Sequence, residues 1–380
     1  TPIKSSAASD VYKRQAINKS PTENYILMKN LDFRNNPNDA IISSNMTGII
    51  NGNNHVIKNI KSSSAHIFHR TINEVKDIKI ENAELENCAS WGGIFREVKK
   101  AVNVYADNIK IKSIRGNEDN TTHAGLISSA KGEIINCGIN NVTIINNVGN
   151  SSATRIGGLI AVANGAIIEN CFATNVNIQT SNSTYEGVGG LIGASEVKST
   201  IQNCYTTGKI EIEGDTVGGI IGYMTNYGKI LNSYSYVDIS GNTSKEGGVA
   251  GRVVQDSSVE KNIAIGNLYT SKLNTEPQRI VGSGIVTNIN YAYANQRLNG
   301  IIKESREENV KLLKAEELLR KDTYINLGYN EAFDYSELGN NVLPKLHKIN
   351  EDGSYSNEIL PYQEDVYLDI SNEFKIDSIN

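Results

Sequence analysis

The chain has 380 residues, a formal net charge of -5, 39% hydrophobic and 7% aromatic residues, and 33 glycines but only 6 prolines. Lys and Arg do not cluster along any segment, so the chain lacks the electrostatic footprint of a nucleic-acid binder. No apolar run approaches the roughly 20 residues of a membrane-spanning helix. We therefore expect neither nucleic acid as a partner nor a membrane span in this chain.

Residues 1–15 are set apart by their sequence. The stretch from Ser5 to Gln15, SSAASDVYKRQ, matches in all eleven residues the translation of a transposase-type sequencing adapter. The alternative is a native polar tail. We predict that residues 1–15 are an artefact and leave them out of the fold, so the lack of a signal sequence at this end excludes nothing.

Residues 16–60 predict an N-terminal cap and the first coils of a repeating structure. The sequence NGNN at 51–54 is a turn signal between two apolar stretches that read as strands. These first coils are irregular, because the motifs of the following repeat are incomplete here.

Residues 61–300 contain an internal repeat with steps of 29 to 34 residues. Each copy begins with two small residues and two apolar ones, continues with an Asn, and ends with two β-branched residues separated by one position. Such alternation points both side chains to one face of a strand. The second glycines of four copies are Gly158, Gly190, Gly219 and Gly248, and the asparagines include Asn170, Asn203 and Asn232.

Three short strands per repeat, without helical periodicity, describe one coil of a β-solenoid. We predict an all-β fold, a right-handed parallel β-solenoid of about 7–8 coils, followed by a small helical or irregular C-terminal cap. Each inward Ile or Val contributes roughly 1.5–3 kcal/mol on burial, so the stacked coils supply their own core.

The composition changes after residue 300. Residues 301–347 contain charged helix formers, with a capping box at Ser305 and Glu308, and then aromatic residues and turns. We predict a helical or irregular cap over 301–347, and a linker to a missing downstream region over 348–380.

The glycines also invite comparison with a phosphate-binding loop. Such a loop leads into a helix, whereas the sequence after Gly190 leads into another strand, and the motif recurs in every coil. We predict that the repeated glycines are structural and allow either close packing or a positive φ. The repeated asparagines are predicted to form a turn ladder rather than a row of ligands.

Two other residue types suggest sites at first sight. Cys137, Cys171 and Cys204 occupy one phase of the repeat, and we predict buried thiols rather than a disulfide or metal site. His66 and His69 are three positions apart, which in an extended strand puts the rings on opposite faces. We therefore expect no zinc there.

One candidate recognition surface remains. Polar loops at 113–123, 146–156, 179–187 and 241–246 leave the coil at one phase and must share one side of a solenoid. His123 and Tyr185 are their most distinctive members, and we consider them as protein-contact residues. The alternative is that the loops are solvated spacers.

The repeat resembles the GLUG repeat of bacterial surface and secreted proteins, through GGLIG at 189–193 and IQNCY at 201–205. The stretches at 46–60, 321–346 and 358–366 resemble the non-catalytic N-terminal region of the immunoglobulin A1-specific zinc metalloendopeptidase family of Gram-positive bacteria. The resemblance covers roughly residues 25–370. The chain departs from the family pattern in having no His-Glu-x-x-His, and in Phe333 where a Trp is expected.

The resemblance implies a fragment of a secreted or cell-wall-associated zinc metalloendopeptidase, namely the solenoid scaffold that presents or positions a protein substrate. It implies no cofactor in this chain, since zinc would be bound by a downstream catalytic domain, and the fragment would be inactive alone. The partner would be a host or extracellular protein such as an immunoglobulin. The alternative is a GLUG-repeat adhesin without catalysis, and a polysaccharide-cleaving β-helix ranks last because the third strands carry only scattered charges.

Overall fold

The computed structural model describes residues 19–34, 46–63, 65–86, 88, 91–113, 120–147, 153–183, 187–305 and 307–370. Parallel pairing joins 29 strands of these residues, and a further three form a small antiparallel sheet. The predicted all-β parallel β-solenoid is confirmed, with about eight turns.

The N-terminal coils contain strands of very different length. They are β1 (Tyr25–Ile26), β2 (Leu31–Asp32), β3 (Met46–Asn51), β4 (Val56–Ser62), β5 (His66–Leu85), β6 (Trp91–Ser113), β7 (Asn120–Ala124), β8 (Ile127–Ile135) and β9 (Gly138–Asn146). Strands β5 and β6 each run through most of a coil without a break.

The central coils are divided into four strands each, not the three that we predicted, and one of the breaks is a bend at the second glycine of each pair and the residue after it. They are β10 (Ala153–Gly157), β11 (Ile160–Asn164), β12 (Ile167–Glu169) and β13 (Phe172–Ser183); β14 (Gly187–Gly189), β15 (Ile192–Val197), β16 (Thr200–Gln202) and β17 (Tyr205–Gly214); β18 (Thr216–Gly218), β19 (Ile221–Met224), β20 (Lys229–Leu231) and β21 (Tyr234–Asn242).

The last coils become shorter and less regular. They are β22 (Lys245–Gly247), β23 (Ala250–Val253), β24 (Ser258–Glu260), β25 (Ile263–Ala264), β26 (Leu268–Thr270), β27 (Val281–Ser283), β28 (Asn290–Tyr293) and β29 (Val310–Leu313). Strand β29 pairs in parallel with β28 and so extends the solenoid into the stretch that we predicted as helical. No helix begins at the predicted capping box of Ser305 and Glu308, and this prediction was wrong.

Equivalent residues of successive coils stack in register. Ile156 pairs with Val188, and Val188 pairs with Val217 in the next coil. All three side chains are fully buried, in a continuous core that extends from the first coils to Leu298. The apolar column is what a single coil lacks, so the core forms only when coils stack.

The repeated glycines are required by close packing and not by backbone conformation. A Cβ atom added at Gly190 would lie 2.3 Å from the carbonyl oxygen of Gly219 in the next coil. Gly158 meets Gly190 in the same way at 2.2 Å, and Gly248 meets Arg279 at 2.3 Å. None of these glycines has a positive φ, so of the two roles left open by the sequence, close approach is the one found.

The predicted asparagine turns recur in every regular coil, but among the described residues the amide ladder joins only Asn103, Asn136 and Asn170. Asn103, Asn136, Asn170, Asn203 and Asn232 all have φ between 48° and 57°. The Nδ2 atom of Asn170 donates to Oδ1 of Asn136 at 2.7 Å, and Asn136 donates to Asn103 at 3.0 Å. In the following coil the positive φ moves to Lys261, the residue before Asn262.

The C-terminal region packs along the flank of the solenoid. It contains the helices α1 (Ala315–Leu318) and α2 (Lys321–Leu327), the strands β30 (Phe333–Asp334), β31 (Lys345–Ile349) and β32 (Tyr355–Ile359), and a 3₁₀ turn at Leu338–Asn340. Helix α1 begins after Lys314, whose N–H donates to the Glu317 carboxylate at 2.8 Å. We predicted a linker over residues 348–380. Residues 348–370 are instead part of the packed C-terminal region, where Leu360 and Leu368 are buried.

A second hydrophobic cluster joins this region to the coils. The rings of Phe172, Tyr205 and Tyr234 stack from coil to coil, with centroids 5.7 and 4.9 Å apart. Tyr234 then meets Phe333 at 6.2 Å, and its hydroxyl donates to the Pro344 carbonyl at 2.6 Å. These aromatic residues face outward from the coil and are buried only because the C-terminal region covers them.

Candidate functional site

The strand ends around the polar loops are aligned from coil to coil. Asn146 pairs with Ser113 in one neighbouring coil and with Thr180 in the other, at or near the ends of β6, β9 and β13. The chain returns at paired positions as well, where Asn120 lies beside Ala153. The loops at 114–119, 148–152 and 184–186 therefore begin and end along one edge of the solenoid, which we call the loop edge.

The described residues define only part of this edge. Tyr185, which we predicted as a contact residue, lies outside the described residues. The predicted loop at 241–246 is described, and only Thr243 and Ser244 lie between strands there, because β21 continues to Asn242 and β22 begins at Lys245. Lys245 forms an ion pair with Asp215, and Lys272 donates to Ser244, so this short turn is tied to its neighbours.

His123 lies in the interior and not on a loop. It belongs to β7, pairs with Gly92 and Ile156, and is 0% exposed. Gly92 leaves room for the imidazole, because a Cβ atom there would lie 2.7 Å from Nδ1 of His123. The prediction of His123 as a protein-contact residue is corrected, since a side chain without solvent access cannot meet a partner.

The strand also brings the buried His66 next to the half-buried His69. Their ring centroids are 5.8 Å apart, so the expectation that the rings point to opposite faces was wrong. The pairing of β5 with β6 is irregular between Phe68 and Thr71, which breaks the strict alternation of the strand. Nε2 of His66 lies 2.9 Å from the Ser128 hydroxyl.

The buried histidines predict acid sensitivity. Burial lowers the pKa of His123 to about 4, and burial together with the nearby His69 and Arg96 charges lowers that of His66 to about 3. A lowered histidine pKa means that the unfolded chain binds more protons, so stability is complete above pH 6.5 and falls below it. We expect each residue to reduce the free energy of unfolding by about 2 kcal/mol at pH 5.

Urea unfolding of His123→Leu at pH 7.5 and pH 5 tests this expectation. Leucine replaces the imidazole with an apolar side chain of similar size at the position that stacks on Ile156. The difference between the two pH values should shrink by about 2 kcal/mol relative to the natural chain. His55→Gln, outside the interior, serves as the control. An unchanged difference in His123→Leu would contradict the assignment.

Glu246 is a buried acid in the same column. It pairs with Val217 and is 1% exposed; its Oε2 accepts a hydrogen bond from the Thr243 hydroxyl at 2.6 Å, whereas Oε1 has no partner among the described residues. Burial raises the pKa of Glu246 to about 7. The neutral, protonated carboxyl group is the form that burial favours. Its contribution to the free energy of unfolding is complete below pH 4.5 and is lost as the pH rises through 7.

We therefore expect the free energy of unfolding of the natural chain to fall by about 2 to 3 kcal/mol between pH 5 and pH 8 because of Glu246. In Glu246→Gln this part of the pH dependence should be absent. Comparing two pH values cancels the constant cost of the amide. The exposed Glu213→Gln should leave the pH difference as it is. Thermal unfolding of the three chains across this range measures the effect, and parallel curves for Glu246→Gln and the natural chain would disprove it.

The cysteines are free and buried, as we predicted. The Sγ atoms of Cys137, Cys171 and Cys204 each approach the carbonyl oxygen two residues earlier, at 3.3, 3.2 and 3.1 Å. Burial raises the pKa of the Cys88 thiol to about 12 and that of Cys171 well above its usual value. Thiols in this environment are poor nucleophiles, because the reactive form is the thiolate.

Within the described ranges, no group of three or more His, Cys, Asp or Glu residues has an arrangement that could hold a metal ion. Helices of the length and apolar character needed to cross a membrane are likewise missing from the part of the chain that the structure describes.

The asparagine ladder has a second role that the sequence did not reveal. Asn136 exchanges two hydrogen bonds with the backbone of Ile349, donating to its oxygen at 2.7 Å and accepting from its nitrogen at 3.0 Å. Asn170 donates to the carbonyl of His347 at 2.6 Å. The ladder therefore binds strand β31 along its length, across successive coils.

Comparison with known proteins gives one family model and a set of similar structures. The model of the GLUG motif matches residues 152–179. A structure named IgA1 Protease is 18% identical with a TM-score of 0.55, covering 86% of this chain and 25% of its own. A candidate immunoglobulin A1 protease from Bacteroides ovatus is 18% identical with a TM-score of 0.50, covering 93% of this chain and 90% of its own.

No curated protein sequence matches the chain. The chain spans about a quarter of the length of the first of these structures. At this level of identity the likeness concerns the fold, which is that of a GLUG-repeat solenoid similar to an IgA1 protease region.

Proposed function

From a GLUG-repeat solenoid with the fold of an IgA1 protease region, we propose that this chain is the non-catalytic scaffold of a secreted or cell-wall-associated zinc metalloendopeptidase. The scaffold presents or positions a protein substrate such as an immunoglobulin. The fold likeness over 86% of the chain is the observation that supports this proposal.

The chemistry of such a protease would belong to another region. The sequence contains no His-Glu-x-x-His, and the described residues include no group of three or more His, Cys, Asp or Glu that could hold a metal ion. Zinc would be held, and the peptide bond cleaved, by residues outside this chain. The contribution of this chain is then binding and orientation, which lower the barrier by holding a substrate in place.

The loop edge is suited to that task. The strand ends that flank these loops pair in register from coil to coil, so the loops start from the same side of stacked coils. Rigid presentation limits the conformational entropy lost when a partner binds. A partner would contact several loops at once, and each loop would contribute a part of the affinity.

Surface plasmon resonance tests the proposal by measuring the binding of the chain to immunoglobulin A1. A different immunoglobulin and a non-immunoglobulin glycoprotein serve as controls. Tyr185→Ala changes the tyrosine that the sequence predicts as a contact residue, and Tyr227→Ala removes a tyrosine that is 63% exposed at a different turn of the coil. We expect Tyr185→Ala to weaken binding about tenfold, as for a contact residue at an interface, and Tyr227→Ala to leave it unchanged.

The reading frame downstream of residue 380 provides a second test. A His-Glu-x-x-His motif there would support the protease scaffold. A complete gene without one, together with binding to a host protein or glycan, would replace the proposal with the GLUG-repeat adhesin.

A further inference from the structure

A cleft of about 570 Å³, lined by polar and apolar side chains, lies in the C-terminal region between α2 and the antiparallel sheet. Lys321, Asn330, Glu331, Asp334, His347 and Tyr355 line it. Its volume falls within the range of known ligand sites, about 300–1,000 Å³. The cleft is separate from the loop edge, and no part of the proposed function uses it.

The hydrogen bond at Nδ1 of the His347 ring determines whether Nε2 can donate or accept. Nδ1 lies 3.0 Å from the carbonyl oxygen of Glu331. A carbonyl oxygen only accepts, so Nδ1 carries the hydrogen and Nε2 of the neutral ring presents a lone pair.

Asp334 faces this lone pair. Its Oδ1 lies 3.9 Å from Nε2 of His347, too far for a hydrogen bond. The carboxylate is held in place by Ser336, which donates its N–H to Oδ1 at 3.0 Å and its hydroxyl to Oδ2 at 2.8 Å. Two oriented acceptors therefore face each other across a gap that a donor from outside the chain would fill.

The rest of the lining contains one further carboxylate and one ammonium group. The Glu331 carboxylate is exposed and has no hydrogen-bond partner among the described residues. Lys321 is the cation of the cleft, and it lies over the Tyr335 ring at 5.7 Å. Asn330 donates to the Tyr355 hydroxyl at 3.2 Å. With Asp334, the cleft therefore carries two carboxylates against one ammonium group.

We propose that this cleft binds the guanidinium group of an arginine side chain from a protein partner. A guanidinium carries five N–H donors in a plane and no acceptor, so it satisfies His347 and Asp334 together while neutralising the carboxylates. The lysine ammonium lacks this planar fork, and a neutral sugar would leave the excess negative charge of the cleft uncompensated.

The experiment is a titration of the full chain at pH 7.5 with acetyl-Gly-Arg-Gly-amide, followed by isothermal calorimetry. The citrulline peptide, which keeps the shape without the charge, is the ligand control. Asp334→Asn should weaken arginine binding about tenfold, since a hydrogen bond to a charged group is lost. His347→Asn keeps a donor for Glu331 but removes Nε2, and should also weaken binding.

Glu211→Gln makes the same charge change on the solenoid face and should leave the affinity as it is. Circular dichroism and thermal unfolding establish that the variants fold. Equal affinity for the citrulline peptide, unchanged arginine binding by folded Asp334→Asn and His347→Asn, or binding of a neutral oligosaccharide in place of the peptide would each overturn the proposal. The titration uses no immunoglobulin, so its failure and that of the proposed function are distinguishable.

Discussion

Gly190→Ala should lower the free energy of unfolding by more than about 3 kcal/mol, which is large for the addition of one methyl group. The added Cβ would lie 2.3 Å from the Gly219 carbonyl oxygen and 2.7 Å from the Thr206 hydroxyl. The first of these atoms belongs to the backbone of the next coil. It cannot move without shifting that coil, and stacking transmits the shift to its neighbours.

The matched control is Gly339→Ala. A Cβ atom there meets nothing within 4 Å, and the residue has no positive φ, so we expect a change within about 0.5 kcal/mol. Urea unfolding of both variants gives the comparison. Similar midpoints for the two would show that the coils can separate enough to accept the methyl group, and that close packing does not explain the repeated glycine.

Tyr234→Ala should be the most damaging substitution on the flank, with a loss of about 3–5 kcal/mol. The change removes the ring that stacks on Tyr205 and meets Phe333, and it leaves the Pro344 carbonyl without its donor. The cavity opens between the coils and the C-terminal region. We therefore expect the C-terminal region to loosen before the solenoid does.

Hydrogen exchange measures this order of events. Amides of residues 343–368 should exchange faster in Tyr234→Ala, while those of β14 to β17 keep their protection. Tyr234→Phe retains the ring and should cost only about 1 kcal/mol for the lost hydrogen bond. Tyr269→Ala, on a side chain that is 50% exposed, controls for the loss of an aromatic residue. Uniform faster exchange in Tyr234→Ala would contradict a local role.

The solenoid was predictable because its signal is repeated. Each copy of the glycine pair, the asparagine and the β-branched pair presents the same packing problem, and six copies leave little room for another solution. The turn ladder and the buried cysteines followed from the same phase. The fourth strand of the coil was missed because the bend at the second glycine has no separate sequence signal that distinguishes it from a continuous strand.

Single features without a repeat were beyond the sequence. His123 looked like a loop residue because a polar loop precedes it, and only the pairing with Gly92 shows that the imidazole lies inside. The irregularity after Phe68 that brings His66 and His69 together also has no sequence signature. Asn136 and Ile349 are 213 positions apart, and no local pattern links them.

Strand β31 crosses the coils, whereas the solenoid strands run within them, and this orientation affects how the molecule carries force. Because Asn136 and Asn170 hold β31 from two different coils, a pull applied at residue 370 would load several coils at once rather than peel the last one. Strand β31 thus links neighbouring coils. Under tension, its hydrogen bonds to Asn136 and Asn170 must break before the coils can separate one by one.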